Sequence, residues 1–206
     1  MKKSKVLEDL TNALSILPGV GIKTAQRMAY KLLRSNKDKT LNLSRQLQKA
    51  LTEVVTCDRC GLYLDVHDAE LQKKSNEHLC IGPNRDEGII CITESPADIY
   101  IIEESTNYNG DYFALTGTLS PLDGLGPDEI GVNKLKIRLE KENIKELILA
   151  TSTTIEGEAT AHFIQNICTN LNIKVSRIAF GIPLNGELGY LDSETISHAF
   201  NERKEL

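Results

Sequence analysis

The chain has 206 residues, enough for one domain or two small ones, and its hydrophobic content of 40% is sufficient for a packed core. It has no tryptophan and few aromatic residues, which argues against base stacking as its main way of binding nucleic acid. Residues 1–50 carry 11 basic and 3 acidic side chains, whereas residues 51–206 carry 13 and 26. The basic part predicts a polyanionic partner, and the acidic part predicts protein or metal partners.

The N-terminus is basic and continues directly into a helix-like sequence. Because no apolar stretch follows Met1–Lys5, we expect no signal peptide. No apolar run approaches the length of a membrane span, so we expect no membrane partner. Five cysteines without a secretory signal predict the reducing cytoplasm, where paired cysteines indicate metal or redox chemistry more often than disulfides.

In chain order, apolar spacing first predicts three helices. The first ends at the Pro18 turn, the second is capped by Thr24 and ends at about Arg34, and the third ends near Thr56. The polar residues 61–79 predict a loop.

From Gly88 onward, short apolar runs alternate with helical spacing. This alternation predicts an α/β sheet with mostly parallel strands, so that the whole chain is an α+β protein of several modules. The predicted strands cover residues 89–92, 112–115, 147–150 and 175–180, and the predicted helices cover 96–104, 134–143 and 158–171.

The turn Leu17–Gly21 joins the first two predicted helices, and its glycines allow a tight bend with unshielded backbone N–H groups. The turn leads into a helix N-terminus, which favours an anion, and Lys23 and Arg27 place two cations on one helix face. An ordinary helix corner with a glycine C-cap is the alternative. The arrangement resembles the helix-hairpin-helix of non-specific DNA-binding proteins. The resemblance implies that one backbone phosphate is held, without base readout, by Gly19, Gly21, Lys23, Thr24 and Arg27.

The Cys57-x-x-Cys60 spacing lets two thiolates reach one tetrahedral zinc ion, and Cys80 supplies a third sulfur after a polar segment. Glu77 or His78 could provide the fourth ligand, since carboxylate and imidazole both bind zinc. His67 is a weaker candidate. The alternatives are a cysteine knuckle that folds without metal and, less favoured, a redox pair.

Glu94 directly follows a predicted buried strand, where open α/β sheets place their sites. Residues 88 to about 174 resemble a Toprim domain, the metal-binding module of topoisomerases and primases. That pattern has a Glu after the first strand and an Asp-x-Asp after a later strand, but here the later strand is followed by Thr151–Thr154. Glu94, Glu156 and Glu158 could hold one weakly bound Mg²⁺, or they could cap helices and face water.

These three modules, in this order, resemble the RecR family of bacterial recombination mediators over nearly the whole chain. The resemblance rests on residues 17–21, 94–100, 119–124, 126–128, 155–160 and 181–183, with a Walker-B-like stretch at 186–192. It implies a helix-hairpin-helix region at 1–56, a zinc knuckle at 57–87, a Toprim domain at 88–176 and a C-terminal segment at 177–206. The family pattern has four zinc cysteines, and this chain departs from it by having Glu77 in the third position.

The resemblance also implies a function. It predicts a non-enzymatic protein that binds DNA without sequence preference, forms a homo-oligomeric ring and acts with RecO and RecF to load RecA at single-strand gaps. It further implies a cytoplasmic protein that joins the nucleoid during repair. The competing interpretation is a Toprim-type Mg²⁺-dependent nuclease or primase-like phosphotransferase, which the missing Asp pair disfavours. The basic residues 1–50 disfavour a scaffold that binds proteins only.

Overall fold

A computed structural model describes residues 4–75, 85–179, 181–183 and 185–201. The chain divides into two compact units, which we call unit 1 (Met1–Val54) and unit 2 (Val55–Leu206). Among the described residues, no helix has the length and apolar content that a bilayer crossing requires.

Unit 1 consists of three helices, α1 (Lys5–Leu14), α2 (Ile22–Arg34) and α3 (Lys37–Glu53). The small side chains of Ala25 and Ala29 are fully buried and allow α2 to pack closely on α1. The predicted cap at Thr24 is wrong, because the helix begins earlier with Gly21 as its N-cap. The predicted end of the third helix is also wrong, since the β-branched run Val54–Thr56 leaves the helix and forms strand β1.

Unit 2 is built on a four-stranded parallel sheet in the order β4-β3-β5-β6. Its strands are β3 (Asp86–Thr93), β4 (Gly110–Ala114), β5 (Glu146–Ala150) and β6 (Lys174–Arg177), and its helices are α5 (Pro96–Ser105), α6 (Val132–Lys141) and α7 (Ile155–Leu171). The predicted alternation of strands and helices is confirmed. Because parallel strands end on the same side, the segments that follow them meet at one boundary, here called the carboxyl edge.

Side chains alternate along the strands and divide the core of unit 2 into two faces. On one face, Ile90 and Ile92 of β3 pack with residues of α6 and α7. On the other face, Cys91 and Tyr112 pack with Ile99 of α5 and with the cysteine pair. A parallel sheet that is covered on both faces has strands that are apolar almost throughout, which is why the sequence pattern indicated them.

The segment between the cysteine pair and β3 is more ordered than its polarity predicted. Strand β2 (Tyr63–Asp65) pairs with β1, and helix α4 (Val66–Ser75) follows it. The loop prediction for 61–79 is therefore wrong over these residues. Helix α4 lacks a distinct apolar face and so gives no periodic signal, but its Glu, Leu, Gln and Lys residues are good helix formers. His67 lies exposed on α4.

After β6, the described chain includes a short 3₁₀ turn at Leu188–Tyr190 and helix α8 (Ser193–Asn201). Asp192, the acid of the Walker-B-like stretch, accepts hydrogen bonds from the Thr195 amide at 2.8 Å and the Thr195 hydroxyl at 2.7 Å. These bonds lower the pKa of Asp192. The carboxylate therefore serves as a cap for α8.

A buried carboxylate joins three parts of unit 2. Asp111 of β4 is 1% exposed and forms ion pairs with Arg138 of α6 and, at 2.9 Å, with Arg59 of the cysteine turn. Arg138 also donates to the backbone carbonyls of Arg59 and Tyr112, each at 2.9 Å. Burial alone would lower the pKa of Arg59, but attraction to Asp111 and other nearby carboxylates raises it. Two guanidinium groups thus compensate the charge that folding removes from water.

We expect Asp111→Asn to lower the free energy of unfolding by about 3–5 kcal/mol, because it removes the buried charge partner of Arg138 and leaves that guanidinium paired only with the partly exposed Glu142. Urea denaturation measures this loss. Glu140→Gln is the control, since its pair with Lys136 is exposed (52% and 48%) and should contribute less than about 1 kcal/mol. Equal small losses in both variants would contradict a structural role for Asp111.

Candidate functional site

The turn between α1 and α2 presents the backbone of the α2 N-terminus. Gly19 has φ +72°, which glycine adopts without strain, and the Val20 amide donates to the Leu17 carbonyl at 3.0 Å. Gly21 is the N-cap of α2, and no side chain of the described residues caps this helix. The amides of its first turn are therefore available to an anion.

Neither the backbone conformation nor the packing of the described residues requires glycine at position 21. Its φ of −74° suits any residue, and a Cβ built there would meet no atom within 4 Å. A larger residue would therefore be accommodated by the backbone and by the surroundings. An N-cap without a side chain instead favours close approach of another molecule to the helix amides.

The other predicted DNA-binding residues lie on the first two turns of α2. Lys23, Thr24 and Arg27 are all exposed. Within the described ranges, no carboxylate forms an ion pair with Lys23 or Arg27. The structure thus brings two available cations beside the uncapped helix start.

Cys57 and Cys60 lie together in a buried turn after β1. The Cys57 amide donates to the Leu62 carbonyl at 2.7 Å, and the Gly61 amide donates to the Cys57 carbonyl at 2.9 Å. Gln72 of α4 places its Nε2 atom 3.4 Å from the Cys57 sulfur. A pair of thiols in one tight turn is suited to provide half of a tetrahedral zinc site.

The cysteine turn is fixed to the end of β4. The Ala114 amide donates to the Cys60 carbonyl at 2.7 Å. Gly61 has φ +80°, and a Cβ there would clash with the Ala114 carbonyl, so both its conformation and its contacts require glycine. The turn is therefore held against the sheet by backbone contacts of its own.

The remaining predicted zinc ligands, Cys80, His78 and Glu77, lie outside the described residues. In the part of the chain that the structure describes, no three His, Cys, Asp or Glu side chains are grouped so that they could hold a metal ion. The Cys57–Cys60 pair is the portion of the predicted zinc site that the structure brings together.

Glu94 follows β3 at the carboxyl edge. Its Oε1 atom accepts hydrogen bonds from the Ser152 amide at 2.7 Å and from the Ser152 hydroxyl at 2.9 Å. Two residues further on, the Thr154 hydroxyl accepts from the Gly157 amide at 3.1 Å and caps α7. Gly157 is required because a Cβ there would clash with Ser152. The segment that lacks the Toprim Asp pair therefore binds Glu94 and begins the next helix.

A guanidinium group lies at the same edge. Arg177 of β6 pairs with Glu158 at 2.6 Å and donates to the Ser152 carbonyl at 2.8 Å. Its hydrogen bond to Glu158, opposed by partial burial, lowers the pKa of that carboxyl. Glu156 is exposed on α7. The edge thus holds its own cation beside one of the carboxylates predicted to bind Mg²⁺.

Sequence reasoning missed Arg177, although a usable signal was present. It lies within the last predicted strand and ends β6, and the ends of parallel strands meet at the edge that holds Glu94. Arg59 gave no comparable signal, because a lone arginine inside a Cys-x-x-Cys turn does not indicate its partner.

Comparisons with known proteins cover nearly the whole chain. The family model described as "RecR, helix-hairpin-helix" matches residues 7–51, the Toprim domain model matches 88–179, and "RecR, C-terminal" matches 181–204. The Recombination protein RecR of Hahella chejuensis is 50% identical over 198 residues, which are 96% of this chain and 94% of that protein. The chain belongs to the RecR family. The Recombination protein RecR of Methylococcus capsulatus is 45% identical over 206 residues, which are the full length of both proteins.

Membership of the RecR family confirms the resemblance inferred from the sequence. It assigns α1 and α2 with their turn to a helix-hairpin-helix and the parallel sheet to a Toprim domain. In this RecR-family chain, no side chain of the described residues caps the helix-hairpin-helix amides, whereas Glu94 and Glu158, two of the carboxylates predicted to bind Mg²⁺, already have hydrogen-bond partners.

Replacement by serine should affect stability differently at Gly19 and at Gly21 of the α1–α2 turn. Gly19→Ser should lower the free energy of unfolding by about 1–2 kcal/mol, because it forces a side chain into the left-handed region. Gly21→Ser should leave stability equal or raise it by a few tenths of a kcal/mol, because serine can cap α2. Urea denaturation of both variants checks this. A Gly21→Ser loss as large as that of Gly19→Ser would mean that Gly21 has an internal structural role.

Proposed function

We propose that this chain is a sequence-non-specific DNA-binding mediator of recombinational repair. The observation that carries the proposal is the uncapped N-terminus of α2, flanked by the exposed side chains of Lys23 and Arg27. Backbone amides and flexible cations hold a phosphate but do not reach base edges. The two relatives called Recombination protein RecR support the part in recombination.

We infer that the protein forms a homo-oligomeric ring that clamps DNA. Large apolar side chains are exposed on all three helices of unit 1, among them Val6 (78%), Leu33 (65%) and Leu51 (85%). So much exposed apolar surface on a small unit supports a protein partner. A second copy is the partner that we propose, because identical subunits close into symmetric assemblies.

We propose RecO and RecF as partner proteins, with loading of RecA at single-strand gaps as the outcome. The support is the division of charge, since residues 51–206 carry twice as many acidic as basic side chains. An acidic surface repels DNA and attracts basic protein surfaces. The carboxyl edge with Glu94, Glu156 and Glu158 is therefore a protein-facing surface in this proposal.

The competing function is a Toprim-type nuclease or primase-like phosphotransferase. Phosphoryl transfer by bound metal requires several carboxylates directed at the same ion. In this chain, Glu94 accepts two hydrogen bonds from Ser152, and Glu158 is paired with Arg177. We therefore infer that Mg²⁺ binds weakly at Glu94, Glu156 and Glu158 and that the chain has no catalytic turnover.

We propose that Cys57, Cys60 and Cys80 hold one zinc ion, with Glu77 or His78 as the fourth ligand. The buried thiol pair supports this, since thiolates together with an imidazole or a carboxylate are ordinary zinc ligands. Zinc would have a structural role, because four protein ligands leave no open coordination position. Cys91 and Cys168 are buried free thiols, which supports work in the cytoplasm, at the nucleoid.

Binding of DNA should depend on Lys23 and Arg27. We expect Lys23→Gln and Arg27→Gln each to weaken binding and to reduce the slope of log K against log salt by about 0.9 for duplex or about 0.7 for single strands. Fluorescence anisotropy with labelled oligonucleotides over a salt series measures both quantities. Two unrelated sequences should bind alike. Variants that bind like the parent would contradict the assignment of DNA binding to this turn.

Metal analysis tests the proposed zinc site. The purified protein should contain about one zinc per chain, and a chelator should lower its melting temperature, because binding energy at a structural site is also folding energy. Cys57→Ser should lose the metal. Glu77→Gln and His78→Gln variants, prepared separately, should identify the fourth ligand, because only the variant that lacks it should lose affinity for zinc. Metal-free protein whose melting is unchanged by the chelator would contradict the proposal.

A further inference from the structure

Helix α2 carries a row of cations that continues well beyond the turn. Lys23, Arg27, Lys31 and Arg34 follow one another at intervals of four, four and three residues, and all four are exposed. The helix contains no Asp or Glu. We call these four side chains the basic stripe.

The stripe lies on the side of α2 that faces away from the packing. At 100° per residue, its four positions fall within an arc of about 80°, whereas the buried residues Ala25 and Ala29 lie roughly opposite. At 1.5 Å per residue, the distance from Lys23 to Arg34 along the axis is about 16 Å. A single phosphate at the turn would engage only the first part of this length.

No carboxylate of the described residues neutralises the basic stripe. The ion pairs there use Lys49 of unit 1 and several arginines of unit 2, but none of the four stripe residues. Like charges four residues apart destabilise a helix by a few tenths of a kcal/mol. Repulsion within the stripe opposes helix formation, although Lys31 and Arg34 in the last turn also interact favourably with the helix dipole, and an extended polyanion would relieve the repulsion.

We propose that α2 is a track for the phosphate backbone of one DNA strand, with Lys31 and Arg34 adding contacts beyond the phosphate held at the turn. This inference rests on the proposed DNA-binding function and extends its site. The partner is a polyanion of regular spacing, because four cations in a line along a straight helix match charges that repeat along a chain. An acidic protein segment is the occupant that the test must distinguish.

The test uses the full-length protein and three probes in a salt series: a labelled single strand, a labelled duplex of equal length and labelled poly-glutamate. The double variant Lys31→Gln/Arg34→Gln should weaken binding and reduce the slope of log K against log salt by about 1.4 for the single strand or about 1.8 for the duplex. The matched control, Lys37→Gln/Lys39→Gln, removes two exposed charges from α3 and should leave both values unchanged. Lys31→Arg/Arg34→Lys keeps the charges and should bind like the parent.

The outcomes separate this inference from the proposal on which it rests. If the Lys31/Arg34 double variant binds DNA like the parent while Lys23→Gln/Arg27→Gln does not, the track is refuted and the turn site remains. If neither double variant changes DNA binding, both the track and the assignment of DNA binding to the α1–α2 turn are refuted, and if the parent itself binds no DNA, the DNA-binding function fails. If the Lys31/Arg34 variant loses binding only to a labelled poly-glutamate probe, the stripe serves a protein and the track is refuted. Unchanged melting temperatures confirm that the variants are folded.

Discussion

The Asp111 carboxylate is removed from water inside unit 2, and the arrangement of three elements depends on how its charge is compensated. Arg138 of α6 and Arg59 of the cysteine turn share it, and Arg138 also binds the backbone of that turn. A buried charge without a partner costs several kcal/mol, so β4, α6 and the turn must come together in one arrangement. The Cys57–Cys60 pair is consequently positioned by ionic and backbone contacts to the sheet, in addition to any metal.

The same chemistry decides what the carboxyl edge can do. Ser152 donates two hydrogen bonds to Glu94, and Arg177 neutralises Glu158 with a fixed guanidinium. These partners use two of the carboxylates predicted to bind Mg²⁺ and hold the edge in one arrangement. At α2, by contrast, the cations and the helix amides lack partners among the described residues and remain available to phosphate. The proposed binding site is therefore the place where charged groups have no partner within the described residues.

Local pattern was sufficient to predict the sheet, since buried parallel strands such as β3 are apolar runs of the right length. It also identified the α1–α2 turn, because glycine and cation spacing are local properties. Helix α4 was missed because its polar surface gives no hydrophobic periodicity. The N-cap of α2 was assigned to Thr24 because threonine is a common capping residue, whereas in the structure the N-cap is Gly21. The partners of Asp111 were unpredictable from pattern, since each ion pair joins residues that are far apart in the chain and is created by the fold.

We propose that this protein binds DNA and does not transform it. To test this, the pure protein is incubated with Mg²⁺ or Mn²⁺ and gapped, nicked or supercoiled DNA, and separately with ATP, beside the Glu94→Ala variant prepared in the same way. We expect neither protein to produce cleavage, relaxation, primer synthesis or hydrolysis above background, while the parent still binds the DNA. Turnover by the parent that disappears in Glu94→Ala would refute this proposal and make the carboxyl edge an active site.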